Sequence, residues 1–158
     1  MAFIDIENTL KSKNPGLAKG VPKFVISYIK KIVHQDDLND IILTAKDKEG
    51  FDFISHSLDY MNISYEVKGV ENVPKKGRFV FAANHPLGGL DGLIFTLEVG
   101  KIYPNLKFPV NDLLLNVTAL NSLFLPINKH GRQPKETAKL VEDAYASDDQ
   151  ILYFPAGL

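Results

Sequence analysis

Apolar residues in the first third of the chain recur at helical spacing. Pairs of neighbouring apolar residues return every four positions after Val21: Phe24 and Val25, Tyr28 and Ile29, Ile32 and Val33. This spacing places the pairs on one face of a helix, and Pro22 suits the first turn of that helix. Shorter apolar stripes predict a second helix over residues 37–45 and a third around residues 51–61. The pattern therefore predicts an N-terminal helical segment over residues 1–61.

After residue 61 the pattern changes to strands that alternate with helices, which indicates an α/β fold. Apolar runs predict strands over 64–70, 78–84, 106–110, 124–128 and 151–155, and longer stripes predict helices over 92–101 and 134–146. The continuous run over 78–84 is typical of a buried strand, and Leu140, Val141 and Ala144 are expected to face inward. We expect residues 62–158 to form one compact unit, a mixed and largely parallel sheet flanked by helices, behind an N-terminal helical layer.

The composition is that of a globular protein and excludes several kinds of site. Hydrophobic residues make up 45% and charged residues 23%, and the net charge of −1 gives no basic excess for nucleic acid. The absence of cysteine excludes disulfides, thiolate zinc sites and a cysteine nucleophile. The four histidines lack the spacing of a zinc site. GGLDG lacks the G-x-G-x-x-G and G-K-[ST] patterns of nucleotide-binding loops.

The charge distribution bears on where the protein acts. The most apolar stretch, residues 113–127, contains polar residues and is shorter than the roughly 20 residues of a membrane span. Residues 1–34 carry six lysines against Asp5 and Glu7, and lysines beside the 24–33 stripe can contact anionic lipid. The alternative is that this stripe packs on the domain and the lysines stay solvated. We expect a cytoplasmic protein, with peripheral contact to the inner membrane face through the N-terminal helices as an option.

The chemistry-bearing segment is NHPLGGLDG, residues 84–92, between a predicted strand and a predicted helix. In open α/β sheets, ligands bind outside the carboxyl ends of strands, and His85 lies there. A histidine takes a proton from a hydroxyl near neutral pH, and a carboxylate such as Asp91 fixes its tautomer. Backbone N–H groups at Gly88 and Gly89 can approach an oxyanion. Structural alternatives remain open: Asp91 as a helix N-cap, the glycines as a turn, and His85 as a structural histidine.

Three ordered blocks resemble the glycerolipid acyltransferases, the lysophosphatidate acyltransferase-like superfamily. FAANHPLGGLDG (81–92) resembles the first block, N-H-x4-D, and SLFLPINKHG (122–131) resembles the second. LYFPAGL (152–158) resembles the third block, F-P-E-G-T. The resemblance extends from about residue 65 to the end of the chain, and it implies an acyltransferase fold for that part.

The resemblance implies transfer of a fatty acyl group from acyl-CoA or acyl-carrier protein to a lipid hydroxyl, with no cofactor and no metal. His85 would be the general base and Asp91 would orient it. No acyl-enzyme is expected, and the chain has neither cysteine nor a G-x-S-x-G serine. The implied substrate-binding set is Asn84, Gly88, Gly89, Asn128, Lys129, Arg132, Phe154, Pro155 and Gly157. Lys129 and Arg132 would hold an anionic head group, or else form a solvated basic loop.

Three departures from the family pattern affect the expected acceptor. Five residues separate His85 from Asp91 instead of four, so the loop must bulge for the pair to meet. Ala156 and Leu158 replace the acid and the hydroxyl residue of the third block. Lys129 stands where arginine is usual, which loses a bidentate contact. These features resemble the bacterial hemolysin-type branch, which includes enzymes associated with acylation of the hydroxyl of lyso-aminolipids. The expected acceptor is therefore a lyso-aminolipid or a lysophospholipid.

Two further expectations concern the substrate and the integrity of the site. An acyl chain needs an apolar groove, for which Leu87, Leu90, Leu93 and residues 113–115 are candidates, although each is equally suited to the core. A hydrophobic strand that ends in FPAGL at the last residue normally leads into further structure, so we expect a truncated C-terminus. The alternative to an enzyme is therefore an incompetent fragment, or a membrane- or protein-binding domain with the acyltransferase fold.

Overall fold

A computed structural model describes residues 4–13, 16, 20–32, 34–110, 114–127 and 134–155. Residue contacts divide the chain into two compact units, Met1–Lys46 and Asp47–Leu158. The sequence-based division placed residues 50–60 with the N-terminal helices. In the structure this helix groups with the second unit, because it packs along the helix that follows the first strand.

Among the described residues, the first unit contains the helices α1 (Ile6–Lys13), α2 (Lys23–Ile32) and α3 (Gln35–Thr44). The sequence pattern predicted α2 and α3 but not α1. The start of α1 is tied to α3 by side-chain amides, because the backbone N–H of Ile6 donates to Gln35 Oε1 at 2.9 Å and that of Ile4 donates to Asn39 Oδ1 at 2.8 Å. These bonds satisfy backbone groups that a helix start leaves without an intrahelical partner.

The second unit contains α4 (Gly50–Tyr60), β1 (Val80–Ala82), α5 (Gly89–Gly100), β2 (Leu106–Val110), β3 (Phe124–Pro126), α6 (Lys135–Ala146) and β4 (Gln150–Tyr153). Among the described residues the four strands form one parallel sheet in the order β1-β4-β2-β3. The predicted α/β fold with a largely parallel sheet is therefore confirmed. The central strand β4 supplies two of the most buried side chains, Ile151 and Leu152.

Four local predictions were wrong. Residues 64–70 form no strand, since Gly69 takes a φ of +81° and begins a short 3₁₀ turn over Val70–Asn72. Strand β1 is shorter than expected and lies at the edge of the sheet as described, with Val80 60% exposed. Helix α5 begins at Gly89 instead of residue 92. Leu140 is 53% exposed, whereas Ala144 of the same helix is buried as expected.

None of the helices in the described residues is long and apolar enough to cross a membrane.

Candidate active site

Two neighbouring parallel strands bring His85 and Phe154 to the same edge of the sheet. Strands β1 and β4 end at Ala82 and Tyr153, and their pairing continues for one bond, from the Ala83 N–H to the Tyr153 carbonyl at 3.1 Å. The imidazole of His85 and the ring of Phe154 lie 4.6 Å apart between centroids, at 32° to each other. Phe154 therefore covers one side of the predicted general base.

Helix α5 packs against the rings of His85 and Phe154. Phe95 meets Phe154 edge-on, with ring centroids 6.2 Å apart. A Cβ atom at Gly92 would lie 3.7 Å from His85 Cε1 and 3.9 Å from Phe154 Cε2. The helix backbone thus lies against both rings. Neither Gly92 nor Phe95 was predicted as a site residue. The spacing of four positions between Asp91 and Phe95 could have indicated Phe95, because it places the two side chains on one face of the helix.

The turn between His85 and α5 depends on Gly88. Its φ of 65° and ψ of −131° form a conformation that residues with a Cβ rarely adopt. Its N–H donates weakly to the His85 carbonyl at 3.4 Å, which closes the turn. Apart from the adjacent residues of the chain and the backbone of α5 itself, no heavy atom would lie within 4 Å of a Cβ at Gly88 or Gly89. Gly88 is therefore required by the backbone, and the space beside both glycines is open in the described structure.

Asp91 lies inside the first turn of α5, so the predicted N-cap position is occupied by Gly88 instead. Asp91 Oδ2 accepts a hydrogen bond from the Leu87 N–H at 2.5 Å. An acid that reaches back across the helix start satisfies a free backbone donor, as in a capping box. Its charge is also favourable at a helix N-terminus. Asp91 thus has a structural role whatever its chemical role.

His85 and Asp91 approach each other without forming a hydrogen bond. His85 Nδ1 lies 4.0 Å from Asp91 Oδ2, and the two side chains are 20% and 21% exposed. That separation is about 1 Å longer than a hydrogen bond between nitrogen and oxygen. Within the described residues the buried Nδ1 has no hydrogen-bond partner. The five-residue spacing brings the pair close but leaves the carboxylate bonded to the backbone of Leu87.

A cleft of about 400 Å³ begins beside Asp91 and follows α5, and His85 is not among the residues that line it. Near the pair it is lined by Asn84, Asp91 and Phe154. Its floor is one face of the helix, and its outer wall consists of residues from the 66–73 segment. Leu87, Leu90 and Leu93 do not line this cleft, and Leu115 lines a second one of about 620 Å³ beside α6.

A polar cluster lies at the last turn of α5. Tyr65 Oη donates to Glu98 Oε1 at 2.6 Å, and Lys101 forms an ion pair with the same oxygen. The hydrogen bond to Glu98, together with burial, raises the pKa of Tyr65 to about 12. Burial acts to raise the pKa of Glu98, but the bonds from Lys101 and Tyr65 outweigh it and hold that pKa below its ordinary value.

The remaining predicted site residues are only partly placed. Asn84 is exposed and lines the cleft, and Pro155 is exposed directly after Phe154. Asn128, Lys129, Arg132 and Gly157 lie outside the described residues. Among the residues that the structure describes, no group of three or more histidine, aspartate or glutamate side chains is arranged to hold a metal ion.

Comparison with known proteins gives two kinds of match. The model of a family described as acyltransferase matches residues 8–158. A lyso-glycine lipid O-acyltransferase of Bacteroides thetaiotaomicron is 47% identical over 99% of this chain and 58% of its own length. A protein of the same name from Phocaeicola vulgatus is 46% identical over 99% of this chain and 56% of its own length. The chain therefore spans just over half the length of these curated relatives. No solved structure matches it.

Proposed function

The chain belongs to the acyltransferase family, and we propose that it transfers a fatty acyl group from a thioester to the hydroxyl of a lyso-lipid. The resemblance inferred from the three sequence blocks agrees with this family. Because both relatives are named for lyso-glycine lipid, we propose a lyso-aminolipid as the acceptor before a lysophospholipid. The observation that carries the proposal is the position of Asp91, 4.0 Å from His85, at the end of a mainly apolar cleft.

The proposed reaction needs one base and no covalent enzyme intermediate. With Nδ1 directed to Asp91, His85 Nε2 takes the proton of the acceptor hydroxyl as its oxygen attacks the thioester carbonyl. The tetrahedral intermediate then collapses, the C–S bond breaks, and the departing thiolate takes the proton from the imidazolium. The carboxylate of Asp91, 4.0 Å away, stabilises that imidazolium by its negative charge.

The oxyanion and the head group need partners as well. The N–H groups in the first turn of α5 favour negative charge, and the open space at Gly88 and Gly89 admits a ligand. We propose that this turn faces the oxyanion of the intermediate. Lys129 and Arg132, with Asn128, remain our proposal for contact with an anionic head group. The donor is proposed to be acyl-CoA or acyl-carrier protein, with neither preferred by the described residues.

Peripheral contact with the inner membrane face, in the cytoplasm, is a further part of the proposal. On α2, Phe24 is 74% exposed and Tyr28 is 65% exposed, and Lys23 and Lys31 are also exposed. Exposed aromatic residues beside lysines suit an anionic lipid surface. Co-sedimentation with vesicles that contain anionic lipid tests this: binding should weaken in Phe24→Ser and with added salt. Equal binding of both proteins would contradict it.

The direct test is release of thiol from palmitoyl-CoA or palmitoyl-acyl-carrier protein, with lyso-glycine lipid and lysophospholipids as separate acceptors. Wild type should release thiol only when an acceptor is present, and His85→Ala should lose that release while remaining folded. Labelled product identifies the acceptor. No thiol release with any pair of donor and acceptor would contradict the proposal and favour a lipid-binding domain with this fold.

A further inference from the structure

An irregular segment, which we call the strap (residues 65–74), crosses α5 and is held at both ends by tyrosine hydroxyls. At one end Tyr65 Oη donates to Glu98 Oε1 of α5 at 2.6 Å. At the other end Tyr103 Oη donates to the Pro74 carbonyl. The ring of Tyr103 is itself packed against Phe79 and Phe81, with centroids about 6 Å apart. Two fixed points therefore hold the strap over the helix.

The space between the strap and α5 is mainly apolar, and the two charged strap residues that also line it, Glu66 and Lys68, form an exposed ion pair with each other at 3.4 Å. The strap contributes Val67, Val70 and Val73, two of which are more than 40% exposed. The helix contributes one face, at the helical spacing Asp91, Ile94, Phe95, Glu98, Val99. That face carries two carboxylates: Asp91, which accepts from the Leu87 N–H, and Glu98, which is bonded to Tyr65 and Lys101. An apolar ligand would therefore meet no unpaired charge from Glu98.

We propose that the cleft beneath the strap binds one alkyl chain of the lipid substrate and directs its reactive end toward His85 and Asp91. This inference rests on the proposed function and adds to it the place and the chemical class of the bound group. The cleft is continuous with the candidate active site, because Asn84, Asp91 and Phe154 line its near end. From Asp91 to Val99 the helix rises about 12 Å at about 1.5 Å per residue, which provides room along its length for a run of methylenes.

The chain supplies an optical test, because it contains no tryptophan. In Phe95→Trp a single tryptophan replaces an aromatic side chain that lines the cleft. In Tyr145→Trp it replaces an exposed aromatic side chain on α6 that does not line the cleft. Bromine quenches tryptophan fluorescence on contact. The probes are a lyso-lipid and an acyl-CoA, each with bromine in the middle of its alkyl chain and used below its micellar concentration.

We expect saturable quenching in Phe95→Trp and none in Tyr145→Trp. The probe that quenches shows whether the chain belongs to the acceptor or to the donor. Equal quenching in both proteins, or no quenching in either, would overturn the proposal. If Phe95→Trp does not fold, Val70→Trp on the strap serves as the reporter, with the same expected and contradicting results.

Activity measured alongside separates this inference from the proposed function. Acyl transfer in wild type without quenching at the cleft would reject the alkyl site and leave the acyltransferase proposal standing. Quenching at the cleft without transfer from any donor would reject the acyltransferase proposal and leave an alkyl-binding site.

Discussion

The two ends of α5 carry polar side chains in opposite states. At the last turn, Tyr65, Glu98 and Lys101 satisfy one another through a hydrogen bond and an ion pair. At the first turn, His85 Nδ1 lies 4.0 Å from Asp91 Oδ2 and has no hydrogen-bond partner among the described residues. Polar groups that stabilise a fold are normally paired, because a buried group without a partner lowers stability. We therefore expect the last turn to hold the strap and the first turn to take a ligand.

The largest expected effect is the loss of acyl-transfer activity when Asp91 at the first turn is substituted. Asp91→Asn keeps an oxygen that can accept from the Leu87 N–H, so its free energy of unfolding should match wild type. Its rate of acyl transfer should fall by about 10²- to 10⁴-fold, because the charge that stabilises the imidazolium is gone. Asp91→Ala should lose the same activity and also about 1 kcal/mol of stability. An active Asp91→Asn protein would mean that Asp91 is only a helix-capping residue.

A smaller effect is expected when the ring beside His85 is removed. Phe154→Leu should lower kcat by about tenfold, because the imidazole of His85 loses the ring that positions it. The control is Phe108→Leu, which breaks another buried aromatic pair, with Phe124 at 5.0 Å. Phe108→Leu should lower stability without lowering kcat. The same kcat in Phe154→Leu and wild type would reject a positioning role for Phe154.

At the other end of the helix the expected effect is on stability. Tyr65→Phe removes one hydrogen bond to Glu98 and should lower the free energy of unfolding by about 1 kcal/mol, measured in urea. The ion pair between Glu98 and Lys101 remains as a partner for the carboxylate. No change in unfolding would mean that the strap is not held by this bond.

The smallest expected effect is a loss of stability at acidic pH that depends on Glu98. The pKa of Glu98 is lowered in the folded protein, so its stabilising contribution is present above the unfolded pKa of about 4.3 and is lost as the pH falls through the folded value. Wild type should therefore lose up to about 1 kcal/mol more stability than Glu98→Gln between pH 6 and pH 3. Parallel curves of stability against pH for the two proteins would contradict this. Tyr65, with a pKa of about 12, stays neutral throughout that range.

Most helices and most strands were predictable from local spacing, but the site geometry was not. Helices α2, α3, α4 and α6 follow apolar stripes, and β2, β3 and β4 follow apolar runs. The run SYEVKGV over 64–70 has the alternation of a strand, yet Gly69 turns the chain and Tyr65 bonds to a residue far along the sequence. The alternation of apolar and polar residues carries no information about a partner so far along the chain.

The same limit applies to the candidate site. The pairing of His85 with Phe154 follows from β1 and β4 being neighbours in the sheet, which no local pattern indicates. The start of α5 was misplaced because Gly88 takes a φ of 65° and a ψ of −131°, and apolar spacing does not report a backbone conformation of that kind. The two candidate catalytic residues were identified from the loop between a predicted strand and a predicted helix and from the resemblance of short blocks, whereas their 4.0 Å separation came from the structure.

The measurement that tests the central claim most directly is a double-mutant cycle on the rate of acyl transfer, with wild type, His85→Ala, Asp91→Asn and the double variant. If Asp91 acts through the imidazole of His85, removing it from His85→Ala changes nothing further, so the double variant should be as slow as His85→Ala alone. Rate losses that multiply across the two substitutions would contradict the account, because they would mean that the two side chains act independently.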